Sequence, residues 1–220
     1  MGDAIMSVSF RGSTQNNGST SSLTVTLGTS ANAGNLIVVA VKVPFQTVTS
    51  VTDSYGNTYT QIGRAASGTS YLYMHYTYSG GTVSTVTVNL SGSTGVRTTV
   101  DIFNGTDSSP LDTFATNNGT SSSPSVNLTP GESGNLIVGA VASITAPSSV
   151  SAGSGYTGGT LNVNASTEYK LSGSNSETAP FTFGNSQTWY AIAASFKPAS
   201  ANKGTLIGDS ALVGYPTLVD

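Results

Sequence analysis

Apolar runs of strand length, separated by turn residues, recur along the chain. Nearly every residue of 36–41 is apolar, which predicts a central strand covered on both faces. Apolar and polar residues alternate over 82–90, where Val86, Val88 and Leu90 share one face, so this strand is predicted to have one solvated face. The pattern predicts an all-β fold with almost no helix.

One apolar run is written twice, as GNLIVVAV at 34–41 and as GNLIVGAV at 134–141. Strand-sized pieces follow both copies in the same order, so 22–106 and 124–199 are interpreted as two diverged halves. A strand covered on both faces needs a second sheet. We therefore expect one pseudo-symmetric two-sheet β-sandwich over 1–199, of jelly-roll type, in which the repeated Gly-Asn forms a turn before each central strand.

Two polar stretches interrupt this pattern, GSTQNNGSTSS at 12–22 and NNGTSSSPS at 117–125. Such compositions taken alone are typical of disordered segments. Between them lie the repeated apolar runs with turn residues at their ends, which is the pattern of a folded β domain. The stretches are therefore expected to interrupt a globular chain and not to define it.

The composition limits the kinds of partner that are expected for this chain. Charged residues make up 8% of the 220 residues, against roughly 25% in an average domain, so the surface is expected to be hydroxyl and amide. The net charge is −3, and the seven Lys and Arg form no basic stripe, so nucleic acid is not an expected partner. No apolar run reaches the roughly 18 residues of a membrane span, the first ten residues do not resemble a secretion signal, and no membrane association is expected. The chain has no cysteine, which excludes disulfides and thiolate metal sites.

The one histidine, His75, lies in a tyrosine-rich run at 70–80. Strand alternation places Tyr71, Tyr73 and His75 on one face. Flat side chains with polar tips can stack on sugar rings, so these residues are a candidate glycan or subunit contact. The alternative is that the tyrosines belong to sandwich strands, where aromatic residues are common.

The remaining chemistry is limited to a few acidic and amide side chains near turns or strand ends. They are Asp53 with Asn57, Asp101 and Glu168. A calcium loop needs several oxygen ligands, and DSYGN at 53–57 offers at most two side chains. Nothing selects a carboxylate pair for glycoside hydrolysis. The sequence therefore assigns no catalytic, metal-binding or cofactor-binding residue, and we expect a non-enzymatic protein without a cofactor.

Residues 200–220 follow the second half and are predicted to form an extended C-terminal arm. Their apolar residues occur in short clusters spaced by Gly, which suits addition as a strand to a neighbouring subunit or, alternatively, to the edge of the chain's own sandwich. The candidate assembly residues are Leu206, Ile207, Leu212, Val213, Tyr215, Leu218 and Val219.

A known module is similar to this chain over residues 22–198. The two octapeptides, SVTDSYGNTYTQIG at 50–63, TVTVNL at 85–90 and VDIFNG at 100–105 resemble a β-sandwich module that recurs in large bacterial surface proteins and phage structural proteins. The resemblance implies a β-sandwich and a role in display or attachment. It carries over no functional residue.

Three functions are compatible with these features. A virion structural protein, such as a phage capsid decoration, spike or fibre component, is the first. It would be made in the host cytoplasm and would bind other copies of itself or a major capsid or tail protein, which agrees with the missing secretion signal, the missing cysteines and the weakly charged surface. The alternative is an extracellular or cell-surface adhesin, filament or glycan-binding module. A polysaccharide-active enzyme is the third and is supported only by unpaired acids and one histidine.

Overall fold

A computed structural model describes residues 7–200 as an all-β protein in which every pair of strands is antiparallel. The strands are β1 (Ser9–Ala31), β2 (Leu36–Pro44), β3 (Val48–Asp53), β4 (Thr60–Ser67), β5 (Ser70–Tyr78), β6 (Val83–Asn104), β7 (Thr106–Ser121), β8 (Ser125–Leu128), β9 (Leu136–Ser143), β10 (Val150–Ala152), β11 (Thr157–Gly158), β12 (Ala165–Lys170), β13 (Glu177–Phe183) and β14 (Gln187–Pro198). Over this range no helix has the length and apolar character needed to cross a membrane. The predicted all-β sandwich class is confirmed.

The strands of the two halves are arranged in the same order. Residues 9–104, the first half, form a sheet in the order β1-β6-β2-β5-β4, and residues 106–198, the second half, form one in the order β7-β14-β9-β12-β11, so each half begins with a strand that extends ahead of the expected residues 22 and 124. Strands β2 and β9, which carry the two octapeptides, are therefore both central. A smaller layer accompanies each sheet. In the first half, β3 pairs with one side of β6 at 86–90, and residues 22–26 of β1 pair with the other side of β6. In the second half, β10-β13-β8 form the counterpart.

Both faces of each central strand are buried, as predicted. In β2, Leu36 and Val38 belong to a core shared by the halves, whereas Ile37 and Val39 face a core within the first half. Strand β9 alternates in the same way between the shared core and a third core within the second half. The layering differs from the single pair of sheets expected, because the long β1 and β6 continue into both layers and enclose a core of their own. The jelly-roll description of the connections stays a prediction.

The repeated Gly-Asn forms the predicted turn. Gly34 and Gly134 have φ of 83° and 91°, in the left-handed region that favours glycine. The N–H of Gly34 donates to the carbonyl of Ser79, and the N–H of Gly134 donates to the carbonyl of Gly173, each at 2.8 Å. The turn therefore attaches the start of each central strand to the loop that follows the neighbouring strand in each half.

The described chain begins and ends at one corner of the molecule. Gly105 connects β6 to β7, and the backbone of Ser7 lies directly against it. The N–H of Ala199 donates to the carbonyl of Gly105 at 2.8 Å. The chain thus enters and leaves the sandwich at the junction of its halves. Of the predicted arm, only Ser200 is among the described residues, and all of the candidate assembly residues lie outside them.

Candidate functional site

The contact surface predicted from the tyrosine-rich strand is not exposed. Tyr73 and His75 are 4% and 6% exposed, and their rings lie 6.2 Å apart, centroid to centroid, within the core of the first half. Tyr71 is half-buried against the same core, and the Arg64 guanidinium lies 4.7 Å from the centre of its ring. Burial lowers the pKa of His75 to about 4. The small layer containing Val51 covers this face, so Tyr73 and His75 are core residues and offer no platform to a sugar.

Asp53 is occupied by its own loop. Its Oδ1 accepts from the backbone N–H groups of Tyr55, Gly56 and Asn57 at 3.0, 2.8 and 3.1 Å, and its Oδ2 accepts from the Asn57 amide and the Tyr59 hydroxyl at 2.7 and 3.0 Å. Burial alone would raise the pKa of Asp53, but these hydrogen bonds, those from Asn57 foremost, hold it below its ordinary value. The carboxylate therefore stabilises the turn predicted at 53–57.

Asp101 lies in the polar part of the core shared by the halves. It is 1% exposed, and the hydroxyls of Ser13 and Thr167 lie close to its carboxyl group. Its Oδ1 approaches Gly159 so closely that a Cβ at that glycine would stand 2.9 Å away. Burial raises the pKa of Asp101 to about 6, against the smaller opposing effect of the two hydroxyls. The residue joins the halves and is enclosed on all sides.

Glu168 is fully buried in the core of the second half. Its Oε2 accepts from the N–H of Gly153 at 2.9 Å, whereas Oε1 has no hydrogen-bond partner. Burial raises the pKa of Glu168 to about 8. Asp53, Asp101 and Glu168 thus lie in three separate surroundings, and residues 7–200 contain no cluster of three or more His, Asp or Glu side chains that could hold a metal ion.

The buried Glu168 predicts a pH-dependent stability. It keeps its proton up to about pH 8 in the native state but only to its ordinary value of 4.5 in the unfolded chain, so the native state binds more protons between these values. The free energy of unfolding must therefore fall as pH rises. Between pH 6 and 7, we expect Glu168 to contribute to the urea-unfolding free energy a downward slope approaching about 1.4 kcal/mol per pH unit. His75, Asp101 and Lys42, with pKa values of about 4, 6 and 8, also contribute to the measured slope, but they do so equally in a variant at position 168, so the Glu168 contribution is the difference in slope between the two proteins.

Glu168→Gln is the matched control, because the amide keeps the size of the side chain and can still accept the Gly153 hydrogen bond without titrating. We expect this variant to lack the Glu168 contribution, so that the slopes of the two proteins between pH 6 and 7 differ by about 1.4 kcal/mol per pH unit. An equal slope in both proteins would contradict the assignment.

A pocket at the end of the shared core brings two cations together. Lys42 of β2 and Arg97 of β6 are directly paired in register and line a pocket of about 450 Å³ between the halves. The Lys42 Nζ donates to the carbonyl of Ser143 at 2.8 Å, which connects the first half to the second. Asn17 and Asn164 contribute to the lining from β1 and from the loop before β12.

These cations have no carboxylate partner among residues 7–200, where the one salt bridge joins Lys170 to Glu177. Burial, and secondarily the adjacent Arg97 guanidinium, lowers the pKa of Lys42 to about 8. Two like charges held together in a partly dry pocket repel each other, and an anion would remove that repulsion. The pocket therefore has the electrostatics of an anion site.

The fold itself does not require the cation pair. Strand β9 pairs with β14 as β2 pairs with β6, and the positions that correspond to Lys42 and Arg97 are Ala142 and Tyr190, which also face each other in register. Both of these residues are buried in the shared core. The second half thus forms the same sheet without charge at these positions. Comparing the halves position by position is the sequence signal that would have revealed Lys42 and Arg97.

Three exposed apolar residues are next in sequence to residues at or near the pocket. Phe45 and Val163, 73% and 37% exposed, adjoin the lining residues Pro44 and Asn164, and Ile144, 46% exposed, follows Ser143, whose carbonyl accepts from Lys42. Phe45 has φ of 63°, the one positive value at a non-glycine position in residues 7–200. Strained backbone of this kind costs of order 1–3 kcal/mol and occurs preferentially at functional sites.

The pocket combines two cations that lack a carboxylate partner among the described residues with two amide side chains, and this combination makes it the candidate site. Comparisons with protein-family models, with curated proteins and with solved structures find no match to this chain.

Proposed function

We propose that this protein is a non-enzymatic structural component of a virion surface, such as a phage capsid decoration, spike or fibre protein, made in the host cytoplasm. It assembles through its chain ends with other copies of itself or with a major capsid or tail protein. The observation that carries the proposal is the corner at Gly105, where the chain both enters and leaves the sandwich. Segments 1–6 and 201–220 continue from this one place, so they can act on the same neighbouring subunit.

The surface of the sandwich supports a role in display. Exposed strands are linked by neutral hydrogen bonds, such as those between the hydroxyls of Thr24 and Thr87 at 2.9 Å and of Thr120 and Thr188 at 3.0 Å. Neutral hydrogen bonds carry no charge for salt to screen, in contrast to surface ion pairs. A particle surface exposed to changing media benefits from this chemistry.

The anion pocket favours a second candidate, an extracellular or cell-surface adhesin or glycan-binding module. Lys42, Arg97 and Asn164 line a concave ligand-sized site that particle assembly alone does not require, and the exposed Phe45 follows the lining residue Pro44. The two candidates make different demands on the chain: assembly needs the terminal segments, whereas ligand binding needs only the sandwich.

Light scattering of the full chain and of a version ending at Ser200 tests the assembly role. All fourteen strands lie before Ser200, so the shortened chain keeps every core residue of the described sandwich. We expect the full chain to form an oligomer of defined mass and the shortened chain to be monomeric, because the apolar clusters after residue 205 are lost.

A chain in which 201–220 is replaced by a Gly/Ser segment of equal length is the control for length alone, and it is expected to behave as the shortened chain. Light scattering after mixing with the native particle tests the second kind of partner, and equal monomeric masses for all three proteins together with no binding to the particle would overturn the assembly proposal.

A further inference from the structure

The cation pair, Lys42 and Arg97, has hydrogen-bond donors that are not used by other described residues. The Lys42 ammonium carries three N–H donors and gives one to the carbonyl of Ser143. The Arg97 guanidinium carries five donors in a planar fork and makes no side-chain hydrogen bond within residues 7–200. A planar carboxylate matches such a fork with two parallel hydrogen bonds, and the ammonium adds a second positive charge.

The rest of the lining is neutral and polar. The side chains of Asn17, Ser19 and Asn164 line the pocket and make no hydrogen bond to another described residue. Amide and hydroxyl groups can both donate and accept, which is the requirement for binding the alcohol groups of a sugar. A small inorganic anion would need only the two cations and would not use the amide and hydroxyl groups of the lining.

An exposed aromatic residue is next in sequence to the lining. Phe45 follows Pro44, a residue of the lining, and its side chain is 73% exposed at a backbone φ of 63°. An exposed aromatic ring beside polar groups offers a flat apolar face on which the C–H face of a sugar ring can pack. The ring is therefore accessible to a ligand.

We propose that the pocket between Lys42, Arg97 and Asn164 binds a sugar residue that carries a carboxylate, with the carboxylate on the two cations, the sugar hydroxyls on the amides and the sugar face on Phe45. The inference names a ligand class for the glycan-binding candidate and is independent of assembly through the chain ends. The version ending at Ser200 keeps the whole pocket and must bind equally well, so failure of one proposal is distinguishable from failure of the other.

Calorimetric titration of the full chain with methyl β-D-glucuronide and methyl β-D-glucoside tests the proposal, because these probes differ at a single carbon, a carboxylate in one and a hydroxymethyl group in the other. We expect the glucuronide to bind at least tenfold more tightly. Arg97→Met is expected to weaken glucuronide binding at least tenfold. Arg64→Met, which removes a cation that lies over Tyr71 and does not line the pocket, is expected to leave binding unchanged.

Phe45→Gly provides a second variant that does not threaten folding, since glycine adopts φ of 63° without strain. It is expected to weaken glucuronide binding several-fold while the thermal unfolding midpoint stays level or rises. Sodium sulfate serves as the probe for a simple anion site. Binding of sulfate without binding of the glucuronide, equal binding of both glycosides, no binding at all, or glucuronide binding that survives Arg97→Met would each overturn the proposal.

Discussion

Phe103→Ala is expected to lower the free energy of unfolding by about 3–5 kcal/mol, the range for removing a fully buried phenylalanine from a core. Phe103 of β6 is inaccessible to solvent, and its ring centroid lies 5.5 Å from those of Phe10 and Tyr169. Tyr169 belongs to the second half, so the cavity would open in the core that the halves share. Chemical denaturation followed by far-ultraviolet circular dichroism gives the change.

The single tryptophan makes this variant a test of coupling as well. Trp189 lies in the core of the second half, whereas Phe103 belongs to the first. If the shared core makes the halves unfold together, tryptophan fluorescence and circular dichroism shift to the same lower denaturant concentration. A fluorescence transition that stays in place would show independent halves and contradict the expectation.

Phe114→Ala is the matched control for the first variant. Phe114 lies on the edge strand β7 and is 45% exposed, so about half of its surface already contacts water. The expected cost is about 1 kcal/mol, in proportion to the area that leaves the protein interior. A cost equal to that of Phe103→Ala would mean that the shared core contributes no more than the surface does.

The sequence pattern alone predicted burial correctly where a strand's own residues determine which of its faces are buried. The continuous apolar run at 36–41 lies between two cores, and the alternating Val86, Val88 and Leu90 are buried while the intervening Thr87 and Asn89 are partly exposed. Period and side-chain chemistry alone predict both outcomes.

The layering could not be predicted from the sequence because it depends on pairing between distant residues. Stretch 12–22 has the composition of a loop, yet it lies within β1 and pairs with β6, and most of 117–125 lies within β7 or β8. Partner strands supply the hydrogen bonds that a polar stretch cannot signal by itself. Strand β1 thus contributes to the second layer of the first half, and β7 forms the polar edge of the sheet of the second half.

The same reason accounts for the misplaced contact surface. Alternation correctly placed Tyr71, Tyr73 and His75 on one face but is silent on whether another layer covers that face. Lys42 and Arg97 were missed because each is the one cation of its strand, and only the fold pairs them at the mouth of the shared core. A binding site assembled from β1, β2, β6 and a distant loop has no contiguous motif.

Gly139→Val is expected to cost about 1–3 kcal/mol, the usual range for overpacking a filled core. It makes the two octapeptides identical, since Val39 occupies the corresponding place in the first half. Val39 pairs with His75, whereas Gly139 pairs with Glu168. A Cβ at Gly139 would stand 3.2 Å from the Glu168 Cγ and 3.3 Å from the Ala179 Cβ, and valine adds two further methyl groups. The denaturant midpoint of Trp189 fluorescence measures the effect in this half.

The double variant Gly139→Val/Glu168→Ala identifies the cause. If the glycine exists to make room for the glutamate, shortening Glu168 vacates the space that the valine needs, and the double variant loses less stability than the sum of the two single changes, by about 0.5–3 kcal/mol. Strict additivity would contradict this. The one letter by which the octapeptides differ then has a physical reason: the Glu168 and Ala179 side chains occupy the space at Gly139 that a valine would fill.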